Sequence, residues 1–402
     1  MNYEEAVDYL CNQLPFFQNQ GQKAYKANLD NTKALDAFRQ HPHQAYPIIH
    51  IAGTNGKGST AHFLASILQE NGLKVGLYTS PHLKDFRERI KVNGEMCDKA
   101  HVVTFLKETQ EITEQIAPTF FELTTIMAFD YFKKQKVDIA VIECGLGGRL
   151  DCTNIVNPIL SVITNISLDH INILGNSIEA IAREKAGIIK PNIPVVLGAN
   201  KSSVIEVMQD VANSKESELL QSDTIPLAYY EASPLKGIYQ KDNLATVLKA
   251  TELLSDYIQP NTIQRGIENV LLNTNLQGRW QVLRESPLTI TDTGHNEDAI
   301  RLLVQQLTAL NKPLHIVWAM MADKDVDAIL SLLPKNAKYY FSQCQMPRTL
   351  KVDVLVEKAR QFGLQGQAFE TIAEGVKAAN QKASSQEVIF IGGSTFTVAE
   401  VL

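Results

Sequence analysis

Along the chain, apolar runs of four to six residues end in glycine or a small polar residue and give way to helical repeats. The first run, Ile48-Ile49-His50-Ile51-Ala52, breaks at Gly53-Thr54-Asn55-Gly56-Lys57-Gly58-Ser59-Thr60 and continues as a helix from Ala61 to Glu70. Upstream, Tyr3, Ala6, Val7, Leu10 and Leu14 recur at helical spacing and a second start lies at Asn31-Thr32, so residues 3–40 read as two helices. Downstream come a buried strand at 75–79 and a hairpin at 88–95 turning on Asn93-Gly94, followed by helical patterns at 98–116 and 122–135. Strands at 137–142, 159–164 and 194–198 then alternate with helices at 177–187 and 202–213, and helices at 241–256 and 260–271 close this part.

Near Gly278-Arg279-Trp280 the pattern changes to shorter strands and restarts. Strands at 287–291, 313–318, 337–342 and 387–391 are interleaved with helices at 296–310, 325–333, 351–362 and 371–384. Apolar strands separated by helices predict parallel sheets covered on both faces. The expected fold is therefore α/β, with a phosphate-loop parallel-sheet ATPase domain (residues 1–284) followed by a smaller Rossmann-like α/β domain (residues 285–402).

Composition narrows the function. A chain of 402 residues with 45% hydrophobic content can bury two cores. Its net charge of -6, without a basic run, argues against nucleic acid or anionic membrane as partner, so an anionic ligand needs a local site. The five cysteines form no C-x-x-C pair, which fits reduced thiols, and no apolar run reaches membrane-spanning length. A cytoplasmic monomer acting on small molecules is expected.

Three glycines, a lysine and two hydroxyls within eight residues, between a strand and a helix, form a phosphate cradle. Backbone N–H groups of Asn55, Gly56, Gly58 and Ser59 face the anion and Lys57 reaches the β and γ phosphates. The strict Walker spacing fails, because Ile51 replaces its first glycine and Ser59 comes one place late. Further strand ends carry Ser80, Glu143 (followed by Cys144-Gly145-Leu146-Gly147-Gly148-Arg149-Leu150-Asp151) and Asp169-His170. In a doubly wound sheet such ends converge on one crevice. A carboxylate there, downstream of a phosphate loop, suits Mg²⁺. By composition Lys185 is a solvated helix residue. Gly278-Arg279 and Asp292-Thr293-Gly294-His295-Asn296 read equally as turns with an Asn cap or as ligand-binding segments.

Taken in order, these segments, with Thr79-Ser80-Pro81-His82-Leu83, Phe121-Glu122-Leu123-Thr124-Thr125, Glu184-Lys185-Ala186-Gly187-Ile188, Tyr239-Gln240-Lys241-Asp242-Asn243 and Asp323-Lys324-Asp325, resemble the folylpolyglutamate synthase and dihydrofolate synthase family, relatives of the muramyl peptide ligases. The resemblance implies an ATP-dependent ligase that adds L-glutamate to dihydropteroate, to folates, or to both. It implies ATP held between two domains by Asn55–Ser59, Asn243, Arg279, Asp292 and His295. It also implies two Mg²⁺ ions on Ser80, Glu143 and His170, and Lys185 carbamylated by CO₂. Lys57, His170, Lys185 and Arg279 would carry the catalytic step. Phe121, Glu122, Leu150, Asp151 and Cys152 would line a pterin pocket, with His295 and Ser394 near the incoming glutamate. Cys152 stands where the family has alanine, and Thr293-Gly294 where it has Gly-Ala. A muramyl-type ligase, a phosphate-loop kinase and an ATP-binding module without turnover are the alternatives.

Overall fold

The computed structural model describes residues 1–21 and 26–402 and divides into two compact units. The first comprises residues 1–234 and 240–276, the second residues 235–239 and 277–402. The part of the expected N-terminal helical stretch at residues 22–25 lies outside the described residues.

The first unit is built on an eight-stranded sheet. Its strands are β1 (Ile48–Ala52), β2 (Val75–Tyr78), β3 (Ile90–Val92), β4 (Glu95–Met96), β5 (Ile139–Glu143), β6 (Leu160–Ile163), β7 (Val195–Leu197) and β8 (Leu219–Gln221), in the spatial order β4-β3-β2-β5-β1-β6-β7-β8. All neighbours are parallel except the β2–β3 and β3–β4 pairs, and the latter turns through Asn93 and Gly94, both at positive φ. Every residue of β1, β2, β5, β6 and β7 is buried. Successive side chains point to opposite faces, so a strand covered on both faces is predominantly apolar, with His50 in β1, Glu143 in β5 and Ser161 in β6 as buried polar exceptions. Ile48, Tyr78, Ala140 and Ile142 join one core with Phe120, Phe129 and Phe132, whereas Ala52, Ile163, Val195 and Leu197 join another with Ile181 and Val204. From β1 the chain crosses first to β2 on one side and later to β6 on the other. The crevice where ligands bind in such sheets lies at the carboxyl ends of these strands.

The second unit contains β9 (Gln281–Glu285), β10 (Leu288–Asp292), β11 (Leu314–Trp318), β12 (Lys338–Phe341), β13 (Gly366–Ala368) and β14 (Val388–Gly392), ordered β13-β12-β11-β14-β10-β9. Only β9 is antiparallel. Ile316, Trp318 and Phe390 face one core and Val317, Ile389 and Ile391 the other, the alternation that two covered faces require.

Most of the expected strands and helices are present, but the N-terminal stretch read as two helices forms Tyr3–Asp8, a π-helical segment Tyr9–Gln13, Phe17–Gln20 and Asp30–Phe38, and the pattern at 260–271 breaks at Asn269 into Pro260–Glu268 and Val270–Thr274. The pattern at 98–116 forms two helices, Lys99–Glu108 and Gln110–Ile116, because Thr109 leaves helical geometry and its hydroxyl donates back to Phe105 O at 2.8 Å. Strands β8 and β13 are additional. They lie at sheet edges: all three residues of β13 are exposed, and β8 offers only Leu219-Leu220, an apolar run too short to mark a strand. The expected division after residue 284 falls inside β9. Since β9 pairs with β10, it belongs with the second sheet.

Candidate active site

The phosphate loop is shaped by the strands beside it. β1 ends at Ala52, Gly56 caps the helix Lys57–Glu70, and no acidic side chain occupies that helix's first turn. The first N–H groups of a helix have no intrahelical acceptor, so this terminus presents donors and positive dipole to an anion. Gly56 has φ +88, and a Cβ there would lie 2.2 Å from Asn243 Oδ1. Both the conformation and the space demand glycine. The segment after β6 holds the loop from below: Thr54 N donates to Asn165 O (2.7 Å), Asn55 N to Asn165 Oδ1 (3.0 Å), and Thr164 Oγ1 to Asn55 O (2.7 Å).

Two lysines converge on this loop. Lys57 Nζ donates to Gly53 O (3.0 Å) and Thr54 O (3.1 Å). Lys185 Nζ, from the helix Ile178–Ala186, donates to Gly53 O at 2.7 Å. Composition alone makes Lys185 a solvated residue. The fold instead buries it to 3% exposure, and desolvation, helped by the charge of Lys57, lowers its pKa to about 7.

At the neighbouring strand ends, Ser80 N donates to Glu143 Oε2 at 3.0 Å, joining the turn after β2 to the end of β5. Glu143 is buried, and the fully buried Arg89 guanidinium feels its charge. His170 lies in a left-handed conformation after β6, its N–H donating to Asp169 Oδ1 and its ring edge-on to Phe17. Among the described residues no three His, Cys, Asp or Glu side chains form a ready-made metal cage. The expected set contributes two such side chains and a hydroxyl. A buried carboxylate, a hydroxyl and an imidazole are a donor set that fits Mg²⁺ or Mn²⁺ completed by phosphate and water oxygens.

Several expected ligand contacts turn out to hold the scaffold. Glu122 Oε2 accepts from Thr119 N at 2.6 Å and Thr119 Oγ1 from Glu122 N at 3.2 Å, a capping box for the helix Phe120–Gln135. Its other oxygen, Oε1, is buried and without a hydrogen-bond partner. Asp151 Oδ2 accepts from Leu146 N (2.7 Å) and Oδ1 from Thr153 N (2.9 Å) and Thr153 Oγ1 (2.5 Å), so this carboxylate fixes its own loop. Leu150 and Cys152 flank it, both half-buried. Gly145 lacks a side chain because a Cβ there would enter the Phe121 ring, at 2.4 Å from its nearest atom.

In the second unit, Asp292 at the end of β10 accepts from Tyr239 OH (2.5 Å), Trp280 N (2.7 Å) and Gly294 N (2.8 Å), while burial raises its pKa. Arg279 donates to Gly278 O and the Thr293 hydroxyl, and His295 Nδ1 lies 3.0 Å from Thr293 O. Asn296 caps the helix Glu297–Ala309, as the turn pattern predicts. Ser394, after β14, accepts from Phe396 N and Thr397 N and so caps the helix Thr395–Ala399.

The sequence left three contributors unmarked. Thr164 and Asn165 bind the phosphate loop from the end of β6, where the sequence draws attention to Asp169 and His170 instead. Gln240 is fully buried and donates from Nε2 to Ser59 Oγ at 3.1 Å while accepting from Asn243 Nδ2 at 2.8 Å. Gln240 lies in the Tyr239–Asn243 segment that carries the resemblance, but nothing in that segment tells that its amide reaches the phosphate loop.

A phosphate loop at the end of a parallel sheet and a second α/β unit define a nucleotide-binding protein of two α/β units, and the domain matches make it a Mur-type ATP-dependent amide ligase. Residues 51–253 match the Mur ligase middle domain and residues 278–395 the Mur ligase glutamate ligase domain. The dihydrofolate synthase/folylpolyglutamate synthase of Haemophilus influenzae is 32% identical, over 98% of this chain and 97% of that protein. Escherichia coli FolC in complex with DHPP and ADP superimposes with a TM-score of 0.87 at 31% identity, covering 100% of this chain and 97% of that one. A bifunctional folylpolyglutamate synthase/dihydrofolate synthase with Mn, AMPPNP and L-glutamate bound gives 0.84 at 29% identity, with 100% and 97% covered. The chain belongs to the dihydrofolate synthase/folylpolyglutamate synthase family.

Proposed function

We propose that this enzyme joins L-glutamate in amide linkage to dihydropteroate, to a folate, or to both, by way of an acyl phosphate made with ATP. The observation that carries it is the phosphate loop built beside Ser80, Glu143 and Lys185 in one unit, in a chain related over its whole length to enzymes of that name. The relatives crystallised with ADP and DHPP, and with Mn, AMPPNP and L-glutamate, support the same ligands here.

The chemistry follows from the groups present. A carboxylate is a poor acyl donor, so the γ-phosphoryl group of ATP is first transferred to it, and the glutamate amine then displaces phosphate to give the amide. Lys57 turns from the loop carbonyls to the β and γ phosphates, joined by N–H groups of Asn55, Gly56, Gly58 and Ser59. Asn243, from the same unit, contacts the nucleotide. Ser80, Glu143 and His170 would hold two divalent ions, which would supply charge neutralisation for the transferring group. Lys185 would be carbamylated: its neutral amine takes up CO₂ and releases a proton, which leaves a buried anion where the ammonium form would be a cation. Phe121 and the Leu150–Cys152 segment border the pterin, with Glu122 and Asp151 holding the walls. His295 lies near the glutamate, and Ser394 shapes that end of the unit. No helix among the described residues is long and apolar enough to cross a membrane. A cytoplasmic monomer without nucleic-acid or membrane partners is part of the proposal, and light scattering on the purified protein checks its mass.

The test is phosphate release from ATP with dihydropteroate or tetrahydrofolate, each with and without L-glutamate. Release requiring both substrates supports the proposal. Release without glutamate points to a kinase, dependence on a muramyl nucleotide to a cell-wall ligase, and no turnover to a binding module.

A further inference from the structure

His50 lies on β1, three residues before Gly53, and is fully buried. Its Nε2 is 2.8 Å from Thr153 Oγ1 and 3.1 Å from Cys144 Sγ, while Nδ1 is buried without a partner. Thr153 has one hydroxyl proton, and Asp151 Oδ1 lies 2.5 Å away. The Asp151 carboxylate also receives Leu146 N–H and Thr153 N–H, so it is the acceptor and takes the hydroxyl proton. Thr153 Oγ1 is then left to accept from His50 Nε2–H, which fixes the tautomer. Burial lowers the His50 pKa to about 3, in keeping with a neutral ring.

The result is a directed chain of hydrogen bonds from His50 to Thr153 to Asp151, whose far oxygen ends on the backbone of Leu146. It ties both ends of the Gly145–Asp151 loop to the strand that carries the phosphate loop. We propose that His50 and Thr153 are positioning residues that set the acceptor-binding loop at a fixed distance from the transferable phosphate. The proposal rests on the assignment of Leu150–Cys152 to the acceptor pocket. Reaction between bound partners is sensitive to displacements of about 1 Å, so a buried tether between the two binding loops affects rate and acceptor affinity together. A ring with one nitrogen unpaired is poor at stabilising a core. Its polar contacts all run towards this loop.

The test compares Thr153→Val, Thr153→Ser, His50→Leu and His50→Gln in the full-length enzyme. Thr153→Val keeps the shape and removes the hydroxyl. It is expected to raise KM for dihydropteroate about tenfold and to lower kcat, with KM for ATP within about twofold of wild type. Thr153→Ser restores both values, and His50→Gln, whose amide N–H can occupy the place of Nε2, retains more activity than His50→Leu. Hydrogen exchange over residues 145–151 is expected to quicken in Thr153→Val and His50→Leu and to stay slow in Thr153→Ser. An unchanged acceptor KM and unchanged exchange in Thr153→Val, or a Thr153→Ser variant as impaired as Thr153→Val, overturns the proposal. If Thr153→Val does not fold, the exchange and KM of His50→Leu against His50→Gln decide. Cys152→Leu separates the two assignments. If it leaves KM for dihydropteroate unchanged, the acceptor pocket is misplaced. If it shifts KM while the Thr153 and His50 variants do not, only the tether is wrong.

Discussion

Lys57 and Lys185 place their ammonium nitrogens on one carbonyl, that of Gly53, at 3.0 and 2.7 Å. Two cations on one acceptor is an arrangement that like charge disfavours, and an anion relieves it on either side. Under the proposed function, a nucleotide phosphate supplies that anion at Lys57 and a carbamate on its own nitrogen supplies it at Lys185.

The Lys185 pKa of about 7 makes stability depend on pH with a definite sign. The unfolded chain binds the proton up to the ordinary lysine value of 10.5 and the folded chain only up to about 7. Stability therefore rises with pH across that window, and below it the cost stays constant, on the order of a few kcal/mol. In CO₂-free buffer Lys185→Met is expected to melt above wild type at pH 7, with the gap closing towards pH 10. Bicarbonate is expected to raise the wild-type melting temperature and activity and to add the mass of one CO₂ to Lys185. A wild type that is indifferent to bicarbonate rules out the carbamate.

Glu143→Gln keeps the bond from Ser80 N–H and removes the charge. Manganese affinity measured by calorimetry is expected to fall at least tenfold and turnover on the order of a hundredfold, since charge neutralisation at a transferring phosphoryl group is worth several kcal/mol. Undiminished manganese binding excludes Glu143 as a ligand.

Gly56→Ala forces a Cβ into Asn243 Oδ1 and a non-glycine residue to φ +88. Such backbone positions cost about 1–3 kcal/mol. Fluorescent ADP binding should weaken sharply while dihydropteroate binding is retained. Gly56→Ala/Asn243→Ala should recover only part of the loss, because the φ strain remains.

Ser394→Ala removes two N-cap hydrogen bonds and is expected to cost about 1 kcal/mol in denaturant unfolding, with Ser394→Asp close to wild type. The KM for glutamate in the two variants then tells capping from substrate contact. A rise in Ser394→Ala that Ser394→Asp cures is a capping effect, and a rise in both marks a direct role.

The central strands of both sheets were legible because burial on both faces makes them predominantly apolar, even with His50 and His315 among them. The edge strands were not: Gly366–Ala368 is exposed and pairs through its backbone alone, and Leu219–Gln221 is three residues long with only two apolar positions. Ser80 and Glu143 could be placed from their positions at strand ends, and the structure joins them directly. Glu122, Asp151 and Ser394 belong to segments that resemble ligand-binding ones. What their sequence could not tell is that their oxygens already serve the backbone, because a carboxylate that caps and one that binds look alike until the donors around it are in place.

The sequence by itself determined the order of elements, the phosphate loop with its late serine, and the family, since these depend on local pattern and on motifs in series. Only the tertiary structure decided which groups share an environment. It carried Lys185 out of solvent onto Gly53, set Gln240 against Ser59, and linked His50 through Thr153 to Asp151. Burial and proximity arise between segments a hundred or more residues apart, and a residue's charge state and partners follow from them rather than from its neighbours in the chain.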